Sequence, residues 1–300
     1  MYGWRVRITA MREPVLVTGA SGRLAGFVSA AFAGRRLVLA ARRDLDITDA
    51  AAVRRVVADL RPAVIVNCAA FNDVDRAEDA VEEALAVNAF GVRNLARAAA
   101  GVQATLVHYS TDFVFDGEAD RPYVEGDRTR PLSAYAASKW LGERFAQEAP
   151  GALVLRVESL FGCEPEWRGR LGSLDAMVAR LRTGQDVRAF TDRVVTPSYM
   201  SDVALATRHL VESGAAPGLY HCVNSGQETW DGVVNEAART MGVTAKVVPI
   251  TLADVAMRAA RPRFCALSNA KLAATGLTMP TWQDAIHRWL APQRAAGAPA

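Results

Sequence analysis

The sequence predicts an α/β protein, with a doubly wound parallel sheet in its first half and a smaller α+β lobe after it. Short apolar, β-branched runs recur at VLVTG (Val15–Gly19), LVLA (Leu37–Ala40), VIVNC (Val64–Cys68), TLVHYS (Thr105–Ser110) and LVLRV (Leu153–Val157). They lack the polar alternation of a half-exposed strand, as strands do when helices cover both faces. Between them lie longer Ala/Arg/Glu-rich stretches, Ala50–Leu60, Ala80–Ala100 and Ala134–Gln147, which read as helices. After about Phe161 this rhythm breaks up, and that change marks the lobe.

In the second half, Glu164–Gly172 reads as a surface loop, Leu174–Arg182 as a helix and Val187–Phe190 as a short strand. GLYHCVN (Gly218–Asn224) reads as another strand, Trp230–Met241 as a helix and Thr281–Leu290 as a closing amphipathic helix. The division expected is an N-terminal extension over 1–13, the sheet domain over 14–162, the lobe over 163–294, partly interleaved with the sheet, and a frayed tail over 295–300. Met11 offers a second start.

Three hundred residues, 51% of them hydrophobic, can bury a large core without staples. Cys68, Cys163, Cys222 and Cys265 are scattered without CxxC spacing, as small buried residues are in a reducing compartment. The four histidines also lack ligand spacing, so no metal is expected; His108 and His221 read as satisfied core residues. A net charge of +3, spread along the chain, gives no basic patch for nucleic acid. No run of eighteen apolar residues predicts a membrane span, and MYGWRVRITA is too short and polar for a signal peptide, so the expectation is a cytoplasmic protein.

After the first strand comes Gly19-Ala20-Ser21-Gly22-Arg23-Leu24-Ala25-Gly26, which opens a helix. Glycines there let bare backbone approach a pyrophosphate at a helix N-terminus. A strand–glycine–helix context favours this dinucleotide reading over an ordinary glycine turn. The second strand ends at Ala40-Ala41-Arg42-Arg43 rather than in an acidic residue. Guanidinium groups suit a 2′-phosphate, so NADP(H) is preferred with NAD(H) left open; solvated surface arginine is the competing role. Asp46 either contacts the adenine amino group or caps the next helix.

Tyr135-Ala136-Ala137-Ser138-Lys139 places a phenol and an ammonium four apart, on one helix face. Lysine occurs only at Lys139, Lys246 and Lys271, which makes the pair notable. A free phenol has a pKa of about 10, and a nearby ammonium lowers it toward the working range of an acid–base group. A helix-surface Tyr/Lys pair is the bland alternative. Thr111, at the end of the Thr105–Ser110 strand, is placed to hold a carbonyl oxygen.

These segments together resemble the dTDP-4-dehydrorhamnose reductase-like members of the extended short-chain dehydrogenases, from about Pro14 to Leu290. The resemblance rests on VTGASGRLAG, DLDITD, RPAVIVNCAAFNDVDRAE, AVNAFGVRNLA, VHYSTDFVFDG, PLSAYAASKWLGE, TPSYMSDVA, GLYHCVNSG and RPRFCALSNAKL, in that order. It implies a Rossmann-like domain with a small sugar-nucleotide lobe, and reduction of a 4-keto group on a nucleotide-activated 6-deoxyhexose. It implies Tyr135 as proton donor, Lys139 tuning it and binding the nicotinamide ribose, Thr111 orienting the keto oxygen and Asp112 beside the sugar. Gly19, Ser21, Gly22, Arg23 and Leu24 would form the phosphate loop, with Asp46 and Ile47 at the adenine edge. Ala69, Ala70 and Phe71 would line the cofactor, and Arg261 or Arg263 would meet the diphosphate.

Two segments depart from the family pattern. RTSWVYG becomes Arg156-Val157-Glu158-Ser159-Leu160-Phe161-Gly162, so Ser159 stands beside the substrate where an aromatic is usual and Glu158 adds a carboxylate. DQxGxPT becomes Asp192-Arg193-Val194-Val195-Thr196-Pro197-Ser198. Both bear on the substrate and leave the cofactor side alone. Two rival readings stay open: a reductase of another carbonyl compound, and a non-catalytic NADP-binding regulatory subunit of a partner enzyme. A homodimer is also left open.

Overall fold

Residues 14–163 and 169–291 are described by the computed structural model of the chain. β1 (Val15–Thr18) leads into α1 (Arg23–Ala31), β2 (Leu37–Ala40), α2 (Ala50–Leu60) and β3 (Val64–Asn67). α3 (Val81–Leu85) and α4 (Val92–Val102) follow, then β4 (Thr105–Thr111), α5 (Ala134–Ala146) and β5 (Leu153–Val157). The apolar runs make strands because helices on both sides let them bury both faces; β1, β3 and β5 are buried at every position. Asp49 starts α2 by accepting from the amides of Ala51 and Ala52 at 2.9 and 3.0 Å, and Ser133 starts α5 by accepting from Ala136 at 3.2 Å. The single helix expected over Ala80–Ala100 is instead α3 and α4 joined by a π-helical turn at Ala86–Gly91.

The second half contributes β6 (Leu160–Phe161), α6 (Ser173–Arg182), β7 (Val187–Phe190), β8 (Val194–Val195), β9 (Ser198–Tyr199) and α7 (Met200–Glu212). β10 (Gly218–His221), β11 (Glu228–Thr229), α8 (Trp230–Met241), β12 (Val247–Ile250), α9 (Ala270–Ala273) and α10 (Trp282–Leu290) complete it. The main sheet is parallel throughout, in the order β10-β5-β4-β3-β1-β2, so a strand from the second half closes its edge. α1 and α7 pack together on one face, and α2, α4 and α5 on the other. Phe161, Leu174, Trp230, Trp282 and Ile286 form a separate core for the lobe. The extension expected over 1–13, the tail over 295–300 and residues 164–168 of the expected loop lie outside the described residues.

Candidate active site

The strand order reverses between β1 and β3, so a crevice opens beyond their carboxyl ends. Gly19 forms its floor with φ +66°, and a Cβ there would lie 2.4 Å from the Ala69 amide nitrogen. Only glycine permits that approach. α1 starts after Gly22 without a side-chain cap, which leaves its first N–H groups and its dipole facing an incoming anion. A cavity of about 470 Å³ covers this turn. Gly19, Ser21, Gly22, Ile47 and the run Ala69–Phe71 line it, together with Arg42 and Asp46.

The arginines expected at the cofactor separate in the structure. Arg42 borders the cavity and its Nε donates to Asp46 at 3.3 Å, whereas Arg43 is exposed, lies 3.7 Å from Asp44 and does not line the cavity. Asp46 accepts from the Thr48 amide and hydroxyl at 2.9 and 2.8 Å, which hold its carboxyl below the usual range. It does not cap α2; Asp49 does. Arg23 opens α1, but its guanidinium turns away from the loop to pair with Asp175 on α6 at 2.9 Å, and also meets the Leu160 carbonyl. Leu24 lies in the neighbouring cleft wall.

A second cavity, of about 510 Å³, continues past Cys68, Ala69 and Ala70. Thr111, Asp112, Tyr135, Lys139 and Ser159 all line it, so the residues expected to carry the chemistry are gathered at one place. Arg261 lines it as well, paired with Asp75 at 2.8 Å; Arg263 does not. Tyr135 and Lys139 sit one turn apart on α5, and Phe113 meets the Tyr135 ring edge-on at 6.1 Å between centroids. Lys139 Nζ donates to the Tyr109 carbonyl at 2.5 Å.

The tuning differs from the expectation. Burial pushes the Tyr135 phenol above its ordinary range, the Asp112 charge adds to that, and a hydrogen bond with Thr111 opposes it. Burial lowers the Lys139 ammonium to about 8, with the Glu143 charge pulling the other way. The local effect of an ammonium on a phenol is overridden because both groups are dry and the ammonium is directed to a backbone carbonyl.

A buried scaffold holds these groups. Glu143 accepts from Arg156 Nε and Nη2, both at 2.8 Å, and from Ser110 at 2.6 Å. Asn88, in the π-helical turn, accepts from the Phe71 amide at 2.8 Å and donates to the Phe71 carbonyl and to Ser138 on α5, both at 3.0 Å. It thus ties the Ala69–Phe71 wall of the first cavity to α5. His221 is satisfied, with Nδ1 near the Tyr123 and Ser268 carbonyls. His108 is only half satisfied: Nδ1 pairs with Asn67 at 3.2 Å, Nε2 has no partner among the described residues, and burial drives its pKa well down.

Asp112, Glu158 and Cys265 bring their side-chain oxygens and sulfur within 4.8 Å of one another. Thr111 Oγ1 donates to Asp112 Oδ1 at 2.9 Å, and the Thr196 amide donates to Glu158 Oε2 at 2.9 Å. Glu158 Oε1 is buried without a partner among the described residues. Arg193 supplies the nearby positive charge, donating to the Pro262 carbonyl and to the Cys265 sulfur. Ser159 comes next in the chain at φ +44°, a conformation non-glycine residues adopt only under constraint. No motif in the sequence marks Asn88, Glu143, Arg156 or Arg193 as site residues. Two signals were present: Glu143 stands four residues beyond Lys139, and Arg156 is a charge inside an otherwise apolar strand.

A profile of the family described as the RmlD substrate binding domain matches residues 11–295. The chain belongs to this family. A dTDP-4-dehydrorhamnose reductase of Streptomyces griseus is 38% identical over 282 residues, spanning 90% of this chain and 91% of that protein. A dTDP-4-keto-6-deoxy-D-glucose reductase of Streptomyces niveus is 34% identical, spanning 92% and 96%. A crystal structure of the Bacillus anthracis dTDP-4-dehydrorhamnose reductase in complex with NADP superposes with a TM-score of 0.87 at 29% identity, covering 93% of this chain and 99% of that one. The parallel sheet of this RmlD-family chain is therefore the Rossmann-like sheet that its glycine turn predicts.

Proposed function

We propose that this chain is an NADPH-dependent reductase of the 4-keto group of a nucleotide-activated 6-deoxyhexose. The observation that carries the reading is the convergence of Thr111, Tyr135 and Lys139 on one cleft, continuous with the cavity over the glycine turn. The reductase names of the relatives and the NADP bound by the Bacillus anthracis protein support it. The dinucleotide fits on this chain's own features: the bare Gly19 floor, the uncapped α1 and Arg42 at the cavity edge, where a 2′-phosphate would be met. Bound NADPH supplies the hydride.

Thr111 orients the keto oxygen. Tyr135, kept protonated by burial, gives its proton to the alkoxide as that charge forms. With its pKa raised, the phenol carries its proton at neutral pH, and the alkoxide, a stronger base still, can take it. Lys139, anchored by the Tyr109 carbonyl, holds the ribose, and Asp112 lies beside the sugar. A second reading, a reductase of a different keto sugar or ketone, draws on Ser159, which makes the cleft wall small and polar there. A non-catalytic subunit would have no use for a gathered phenol, ammonium and hydroxyl. A cytoplasmic setting goes with this reading, supported by four free cysteines, three of them buried. A homodimer is its accompanying assembly.

The test is NADPH oxidation followed by absorbance with a dTDP-linked 4-keto-6-deoxyhexose. Tyr135→Phe is expected to lower kcat by about 10³-fold while NADPH still binds. Turnover undiminished in that variant would sink the mechanism.

A further inference from the structure

Behind the phenol lies a set of groups that hydride transfer and a single proton donor do not account for. Glu158 is 1% exposed and Asp112 4%, yet both are carboxyl groups on the same side of the cleft. Two carboxylates so close cannot both stay ionised in a dry site at low cost, and among the described residues none donates to Glu158 Oε1 to stabilise a charge. The groups facing them come from every adjoining element. Arg193 approaches from between β7 and β8, and Cys265 from the segment before α9. Thr111 ends β4, and Tyr135 stands on α5. Arg261 lies farther off, over the Phe113 ring, and Lys139 is directed away to Tyr109. With one guanidinium beside two carboxyls, the balanced state holds one negative charge and one proton.

We propose that Glu158 and Asp112 form an internal proton store for Tyr135, with Glu158 holding the proton and Asp112 passing it through the Thr111 hydroxyl. This rests on the reading of Tyr135 as proton donor. Once Tyr135 has given its proton to the alkoxide, the Thr111 O–H bond breaks and that proton goes to the phenolate oxygen. For this, Glu158 first passes its proton to Asp112, and the Asp112 carboxyl, now a donor, gives that proton to Thr111 Oγ1 as the Thr111 hydroxyl releases its own. The gap between the carboxyl groups, at most 4.8 Å, is closed by a side-chain rotation or spanned by one water. No electrons move in this chain of transfers. The pair ends with both carboxylates ionised beside Arg193, and regains a proton from water in the cleft that Asp112 lines. Burial supports Glu158 as the resting place of the proton, since it pushes Glu158 far above the ordinary carboxyl range and Asp112 only to about 6; the step through Asp112 is uphill and is drawn on by the more basic phenolate.

This arrangement fixes the sign of the pH dependence. In the unaltered protein Asp112 loses its own proton near pH 6, but Glu158 resupplies it, so kcat stays level through neutral pH and falls only where Glu158 ionises. In Glu158→Gln the store is gone and Asp112 works alone. Its kcat is expected to fall about tenfold per pH unit above an inflection at about 6, with the NADPH dissociation constant unchanged. Glu158→Asp, which keeps a carboxyl, should restore a level profile. Infrared spectra at neutral pH should show a protonated carboxyl band that Glu158→Gln lacks. A Glu158→Gln profile superimposable on the unaltered one overturns the proposal. So does a uniform loss at every pH, which marks a purely structural role, or an equimolar metal in the purified protein that the variant no longer holds. If Tyr135→Phe abolishes turnover while Glu158→Gln keeps the original profile, the store is refuted and the phenol's role survives.

Discussion

The two ends of the cleft are built on different physics. At the glycine turn the surface is backbone: a bare Gly19 against Ala69, the open N-terminus of α1 and short side chains such as Ser21 and Ala70. At the Tyr135 end, the reaction end of the proposed mechanism, the surface is made of buried ionisable side chains held by backbone groups and by one another. Arg156 and Glu143 support α5, and Arg193 stands beside Asp112 and Glu158. Backbone recognition depends on close approach and fails through sterics, whereas the reaction end depends on charges in a dry setting and fails through unpaired polar groups. The difference teaches where tolerance lies: substitutions that leave the reaction end unharmed would ruin the glycine turn, and the reverse holds as well.

Three substitutions test that contrast. The largest effect is expected at Gly19→Val. Its Cβ would collide with the Ala69 backbone and its φ would be strained, so NADPH binding measured by fluorescence titration should be lost altogether. Next comes Arg156→Leu, which strands Glu143 in a site where both partners are nearly inaccessible. Urea unfolding should report a loss of about 3–5 kcal/mol, most of it recovered when Glu143→Met is added. A full cost in the double variant would show that shape, not charge, governs this end. The smallest effect is expected for Arg42→Ala: NADPH affinity about tenfold weaker, NADH affinity unaltered. Equal losses for both nucleotides would remove Arg42 from the 2′-phosphate.

The sheet was legible because strands covered on both faces must be apolar throughout, and Val15–Thr18, Val64–Asn67 and Leu153–Val157 are nearly so. The four-residue step from Tyr135 to Lys139 was legible because helical periodicity is local. The direction of the phenol's pKa was not, since burial is set by elements distant in the chain. Arg23 shows the same limit: its partner Asp175 stands 152 residues away, and nothing near Arg23 in the sequence points to it. That Asp49, and not Asp46, caps α2 is a matter of three residues of helix boundary, the scale at which propensity is weakest.

The wide turn at Ala86–Gly91 makes the site depend on how many residues the chain has there, beyond which ones they are. A π turn carries one more residue than the α turn it interrupts, and each residue of a helix turns its successor by about 100° around the axis. A chain shorter by one residue between β3 and β4 would keep every apolar position it needs and gain a more regular helix. Asn88 would then face elsewhere, and the strut between Phe71 and Ser138 would be gone. Length itself is inherited information here, and an insertion or deletion would damage the enzyme where many substitutions would not.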